Sequence, residues 1–157
     1  GTLLAKGHTR LGLVLPYEIR TGDQHCETGF RAAAAPHFCA VYQGTGKAAS
    51  LHEKILRACG EKSRVTGLFV LNPYDCVTIF FALKSLGLRV PEDISVIGCE
   101  RAEIFQVLPF RVTSYSAHLK LVEKSVKLVM RLALNRFVPP HENMIMPEFE
   151  SGENLRR

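Results

Sequence analysis

Short apolar runs and amphipathic stretches alternate along this chain, most cleanly from Thr66 to Glu100. Gly67 to Leu71 is an apolar run of strand length. Asn72-Pro73 follows: Asn is a preferred helix cap, and Pro at the first helical position gives up an N–H that has no partner there anyway. Asp75 falls in the first turn, where the helix dipole favours negative charge. The pattern predicts a helix to about Leu86, stopped by Gly87, and Val90-Pro91 prevents its continuation. A second apolar run, Ile94 to Ile97, ends at Gly98. Strand, helix and strand within about thirty residues predict one βαβ crossover.

The same alternation predicts the remaining elements. Leu3 to Lys6 reads as the last turn of a helix capped by Gly7, and Arg10 to Leu15 as a strand closed by Pro16. After a loop from Tyr17 to Gly22, Asp23 to Ala35 reads as a helix, capped by Thr21 or Asp23 and stopped by Pro36. Phe38 to Tyr42 is a short strand. Ser50 opens a helix to Cys59-Gly60, with Leu51, Ile55, Leu56 and Cys59 on one side. Arg101 to Phe110 is an irregular connection, and Val112 to Tyr115 a strand. Ser116 is the expected cap of a long helix to about Arg136, with Leu119, Val122, Val126, Val129 and Ala133 at heptad-like spacing. Pro139-Pro140 ends that segment, Met144 to Phe149 is the final strand, and the tail from Ser151 is polar. The expected fold class is therefore α/β: a three-layer αβα arrangement with a mostly parallel sheet covered on both faces.

The helix from Tyr74 to Leu86 is apolar nearly all round. Cys76, Ile79, Phe80, Leu83 and Leu86 form one stripe, while Tyr74, Val77 and Phe81 lie on another face. Two apolar faces predict two partners. The alternative is that this chain's own loops cover the second face.

Composition narrows the class. The 157 residues are 46% hydrophobic and 22% charged, the balance of an ordinary globular domain. No apolar run reaches membrane-spanning length, and the amino terminus lacks a signal-peptide pattern. The net charge of +5 is scattered. Its densest group, Lys120, Lys124, Lys127 and Arg131, has helical spacing and reads as a solvated face. No helix-turn-helix, zinc-finger or basic-aromatic pattern points to DNA binding by this chain itself. The five cysteines, an odd number with no Cys-x-x-Cys, fit a reduced, cytoplasmic setting. The spacing of His25, Cys26, His37 and Cys39 does not support a zinc site. Gly44-Thr45-Gly46-Lys47 lacks the full phosphate-loop pattern.

Candidate chemistry gathers at two strand ends. Ligands of open parallel sheets sit beyond the carboxyl ends of the strands, and those ends here present Asn72 and Glu100. Read alone, Asn72 is a helix cap and Glu100 a solvated loop acid. Ser114, Ser116, His118 and Glu123 are close in sequence, but that is no triad. No cofactor motif is present, and the expectation is a protein that is not an enzyme.

The segment GLRVPEDISVIGCE resembles the most recognisable stretch of the LacI/GalR-family regulators, where Gly-Leu-x-Val-Pro-x-Asp-Ile-Ser-Val-x-Gly leads into an Asp. LNPYDCVTIFFAL lies where that family has an Asn-Asp pair opening a helix. LLAKGHTRLGLVL resembles its Leu-x-x-x-Gly-His-x-x-Ile stretch, and RVTSYSAHLKLVEKSVKLVM its late Leu-Thr-Thr strand and following helix. These matches keep their order from about Leu3 to Leu155.

The resemblance implies the C-terminal part of a periplasmic-binding-protein-like (type I) effector-sensing domain. Residues 1–110 and 138–157 would form the C-terminal subdomain core. Residues 111–137 would pack on a first subdomain outside this chain, and the DNA-binding domain would also lie outside it. A chain that begins with Gly, inside a helix, fits a piece cut from something longer. By the same resemblance, a small effector of the sugar or purine class binds between subdomains, with Asn72, Glu100 and Cys26 on this half of the cleft. Glu100 stands where the family has Asp, Cys26 where a helix-borne Arg often grips ligand, and Pro73 where it has Asp. The family's corresponding helix contributes to a homodimer, which assigns Tyr74, Val77 and Phe81 to that interface. Two alternatives remain: an extracytoplasmic solute-binding protein of a transport system, and a module that dimerises without ligand.

Overall fold

The computed structural model describes residues 1–60, 64–134, 137 and 145–156. Its elements alternate: α1 (Thr2–Ala5), β1 (Arg10–Leu15), α2 (Thr21–Ala34), β2 (Phe38–Gln43), α3 (Ala48–Gly60), β3 (Gly67–Val70), α4 (Pro73–Ser85), β4 (Ser95–Cys99), a 3-10 turn (Glu103–Val107), β5 (Ser114–Ser116), α5 (His118–Ala133) and β6 (Glu148–Glu150). The six strands form one sheet in the order β2-β1-β3-β4-β5-β6. The first five are parallel, and β6 runs antiparallel to β5. An antiparallel edge strand on an otherwise parallel sheet is a common arrangement.

Strand alternation sends side chains to two faces. On one face Val14, Leu68, Val70 and Val96 pack under α3 and α4, against Leu51, Ile55, Ile79 and Leu83. On the other, Leu11 and Ile97 meet Leu3 of α1 and Ala34 of α2, and Phe30 stacks on Phe69 with ring centroids 6.4 Å apart. The expected three layers are therefore present. Leu68, Ile79 and Leu83 are fully buried, and truncating any of them to Ala removes about 2–5 kcal/mol.

Helix boundaries follow local chemistry. Asn72 Oδ1 accepts the N–H groups of Tyr74 (2.8 Å) and Asp75 (3.3 Å), with Pro73 at the first helical position. Gly87 follows the helix at φ +70°, the left-handed region that only glycine enters freely. At α2 the first turn is secured by Asp23, whose carboxylate accepts the Arg20 N–H at 2.8 Å.

Three expectations change. Ser116 is the last residue of β5, not a helix cap; Ala117 precedes α5 and makes no side-chain capping bond. The final strand is confined to Glu148–Glu150, paired with β5. Met144, Asn135, Arg136 and Pro139-Pro140 lie outside the described residues. The strand part of segment 111–137 belongs to this sheet: β5 pairs with β4, and Val112, Thr113 and Ser114 are buried in this chain's own core. The polar tail from Ser151 packs against β4 and the segment leading into β5. Asn154 is 1% exposed, and a Cβ at Gly152 would lie 2.2 Å from the Arg111 carbonyl oxygen, so only glycine fits there.

Every residue of α5 is exposed. Its apolar stripe, Leu119, Val122, Val126 and Val129, rests on nothing among the described residues. At its start Lys120 Nζ pairs with Glu148 at 2.9 Å, an exposed ion pair of small energetic weight.

Candidate functional site

Parallel register aligns the strand ends. Val70 is level with Gly98, and Cys99 with Tyr115. Two residues beyond Val70 and Gly98 are Asn72 and Glu100, so the register brings them to the carboxyl ends of adjacent strands. Counting the same way puts Ser116 beside Glu100, and Pro16 and Gly44 on the far side of Asn72. Strand order reverses between β1 and β3, so the topological switch point where ligands of open α/β sheets bind lies between Pro16 and Asn72, one strand from Glu100.

Glu100 has the one positive φ of any non-glycine residue described, +75°. Its backbone N–H donates to the Tyr115 carbonyl at 2.6 Å, which holds the turn. A glutamate in the left-handed region costs about 1 kcal/mol or more, and such outliers concentrate at functional sites. The twist leaves the Glu100 side chain exposed at the sheet edge.

Asn72 commits its side-chain oxygen to the α4 cap, which leaves its amide N–H groups for other acceptors. Cys26, in the second turn of α2, is half-buried. Burial, then the nearby Asp23 carboxylate, raises its thiol above the ordinary range. Cys99 is pushed up to about 11, chiefly by burial and then by Glu100, Cys26 and Asp23. Asp23, Cys26 and Glu100 thus surround Cys99 at one end of the sheet. Both thiols stay protonated at neutral pH and act as small, weakly polar surfaces rather than nucleophiles.

Two further residues belong to this edge and escaped the sequence reading. Tyr17 is 60% exposed, and its ring lies 3.3 Å from where a Cβ at Gly46 would stand. Asp75 Oδ2 is 3.1 Å from the corresponding point at Gly44, and burial raises the Asp75 carboxyl above its usual value. Only the strand order, which puts β1 beside β3, could have singled them out.

The row from Gly44 through Asn72 to Glu100 is an open wall. A cavity of about 250 Å³ lies on the α2 face, lined by Leu3, Phe30, Phe69 and Ile97 among others, and is nearly all apolar. A wider cleft of about 1050 Å³ opens between the 3-10 turn, β5, β6 and the overhanging start of α5. Neither is lined by Asn72, Glu100 or Cys26.

On α4, Cys76, Ile79, Phe80, Ala82 and Leu83 are buried. Tyr74 and Phe81 are 68% and 58% exposed, with the half-buried Val77 between them. Among the described residues no loop covers this face, so the second apolar face of α4 is open.

Comparison with known proteins agrees with this architecture. Residues 1–153 match the family described as periplasmic binding protein-like domain. The HTH-type transcriptional repressor PurR of Aliivibrio salmonicida is 25% identical over 107 residues, covering 65% of this chain and 32% of that protein. PurR of Aliivibrio fischeri reaches 31% over 113 residues with the same coverage. A LacI family transcriptional regulator from Bifidobacterium animalis superposes with a TM-score of 0.86 at 18% identity, over 98% of this chain and 58% of that one. A LacI family regulator from Enterococcus faecium with bound ribose gives 0.77 at 20% identity, over 98% and 59%. The chain thus spans about a third of the curated relatives it matches (32% of their length).

Proposed function

Because this chain belongs to the periplasmic binding protein-like domain family, we propose that it is the effector-binding and dimerisation part of a LacI/GalR-type transcriptional regulator. The observation that carries the reading is the register that brings Asn72, beside the switch point, and Glu100 to adjacent strand ends, with Glu100 held at φ +75°. An amide that donates and a carboxylate that accepts suit a ligand rich in hydroxyl or ring N–H groups, which is the sugar or purine class. The relatives fit this choice: one neighbour holds ribose, another is complexed with D-xylulofuranose, and the curated relatives are repressors.

Cys26 supplies no charged fork, so this wall grips an anionic ligand group less strongly than an Arg would. The facing wall of the cleft comes from a first subdomain, and the exposed stripe of α5 packs against it. The open face Tyr74, Val77 and Phe81 is the homodimer contact; one neighbour of this fold is a dimeric Lac repressor. DNA is reached through a region outside this chain. Effector binding acts by favouring one closure state over another, which requires different affinities for the two. The setting is the cytoplasm, and the protein has no catalytic role.

The test is an operator-binding assay on the full natural protein, run with and without a panel of pentoses, hexoses and purine bases. The expected result is DNA binding altered by one ligand class. Saturable capture of a solute by a protein that binds no DNA would favour the transport alternative.

A further inference from the structure

His8 joins segments far apart in the sequence. It is 3% exposed. Its Nδ1 lies 3.2 Å from Thr66 Oγ1, just ahead of β3, and its Nε2 lies 2.9 Å from Ser95 Oγ, the first residue of β4. Ser95 Oγ also accepts the backbone N–H of Arg156 at 3.0 Å. The Arg156 guanidinium donates to the Glu92 carbonyl at 2.7 Å. One imidazole therefore ties the α1–β1 turn, β3, β4 and the strap of residues 152–156.

Hydrogen-bond bookkeeping selects one protonation state. The Thr66 hydroxyl donates to the Arg10 carbonyl at 3.4 Å, so Thr66 Oγ1 accepts from Nδ1–H. The Ser95 hydroxyl then donates to Nε2 while accepting the Arg156 N–H. The neutral Nδ1–H tautomer satisfies every group. A proton on Nε2 reverses the Ser95 bond: that oxygen must accept both Nε2–H and the Arg156 N–H, and its own proton is left without its acceptor.

The electrostatics point the same way. The charged groups on the surrounding segments are Lys6, Arg10, Arg64, Glu92, Asp93 and Arg156. Asp93 is engaged by Arg89 at 3.1 Å and Arg64 at 3.9 Å. Burial first, and then the Arg156 cation, hold the imidazole below its ordinary value of 6.5. No carboxylate among the described residues pairs with the ring.

We propose that His8 is a pH-sensitive latch whose protonation weakens the hold of the strap's Arg156 end on the start of β4. The folded state favours the neutral ring, so the latch is closed above pH 6.5 and weakens as the pH falls through and below that value. The strap also secures β5, because Gly152 N–H donates to Thr113 Oγ1 at 2.9 Å. The latch lies at the amino end of β4, opposite Glu100, and stands whether or not an effector binds.

Hydrogen exchange on the full natural protein at pH 7.5 and 5.5, corrected for intrinsic rates, tests it. The expected result is a loss of protection at the Val96 and Arg156 amides of several-fold, at most about tenfold, since each pH unit below the unperturbed value is a factor of ten. With six histidines in the chain, a His8→Gln variant serves as the control and should show no such pH step. If that variant does not fold, an NMR titration of His8 in the unmodified protein decides. Titration below 6.5 in step with loss of protection at Arg156 supports the latch. Protection unchanged by pH, an equal loss in His8→Gln, or titration at or above 6.5 overturns it.

Discussion

Asn154 and Val96 bind each other in both directions: the Asn154 side-chain N–H donates to the Val96 carbonyl at 2.6 Å, and the Val96 N–H donates to the Asn154 carbonyl at 3.0 Å. The Asn154 side-chain oxygen also accepts the Thr113 N–H. One amide therefore stitches the strap to β4 and to the segment leading into β5. Asn154→Ala leaves the Thr113 N–H and the Val96 carbonyl buried and unpaired. The expected loss is about 2–6 kcal/mol, at about 1–3 per abandoned group. Urea unfolding checks it: the midpoint should fall with the slope unchanged.

The open face of α4 separates association from folding. Tyr74 and Phe81 are largely exposed in the single chain, so Tyr74→Asp with Phe81→Asp should change monomer stability by only about 0.5 kcal/mol per site. In the proposed dimer the same charges would be desolvated without partners, which is strongly unfavourable. Sedimentation equilibrium should show a dimer in the parent and a folded monomer in the double variant. A parent that stays monomeric at high concentration removes the dimer assignment.

Backbone strain at Glu100 gives a contrast between two substitutions. Glycine relieves the left-handed conformation, while a β-branched residue worsens it. Glu100→Gly should leave stability unchanged or raise it by up to about 1 kcal/mol, whereas Glu100→Val should lower it by about 1–2 kcal/mol. Thermal unfolding of the pair reads the difference. The reverse order would mean that the turn relaxes in solution.

Asp75 links the switch point to pH. Burial raises its carboxyl above the ordinary value of 3.8. The folded state then binds a proton more readily than the unfolded one, so this group lowers stability as the pH rises through the raised value. Asp75→Asn should be stabilising at pH 7, and the advantage should vanish as the pH falls below about 3.8. Denaturant midpoints of both proteins across pH 3 to 7 measure it.

Much of this architecture was legible because local signals agreed with one another. Asn72-Pro73 and Gly87 bracket α4, and the runs Gly67 to Leu71 and Ile94 to Ile97 fall on the adjacent parallel strands β3 and β4. What was not legible depended on distant pairing. Ser116 looks like a cap locally, but pairing with Glu148 of β6 draws it into a strand. Asn154 sits in a polar tail, and its burial follows only from open hydrogen-bonding groups on β4 and beside β5. Tyr17 and Asp75 joined the candidate site once the order β2-β1-β3 placed the loop after β2 against the start of α4. The open stripe of α5 shows the opposite limit: its amphipathic period is plain in the sequence, while its partner is not among the described residues.

The most direct test of the central claim is calorimetric titration of the full natural protein with ligand from the sugar and purine panel, alongside Glu100→Ala and Asn72→Gln. One ligand class should bind. Removing the Glu100 carboxylate should weaken that binding by at least about tenfold, the effect of losing a charge-assisted hydrogen bond of about 1.5–3 kcal/mol. Asn72→Gln should weaken it less, while unliganded stability stays close to the parent's in the Glu100 variant. Ligand binding of unchanged affinity in both variants would contradict the account, because the wall formed by Asn72 and Glu100 would then not be where the effector sits.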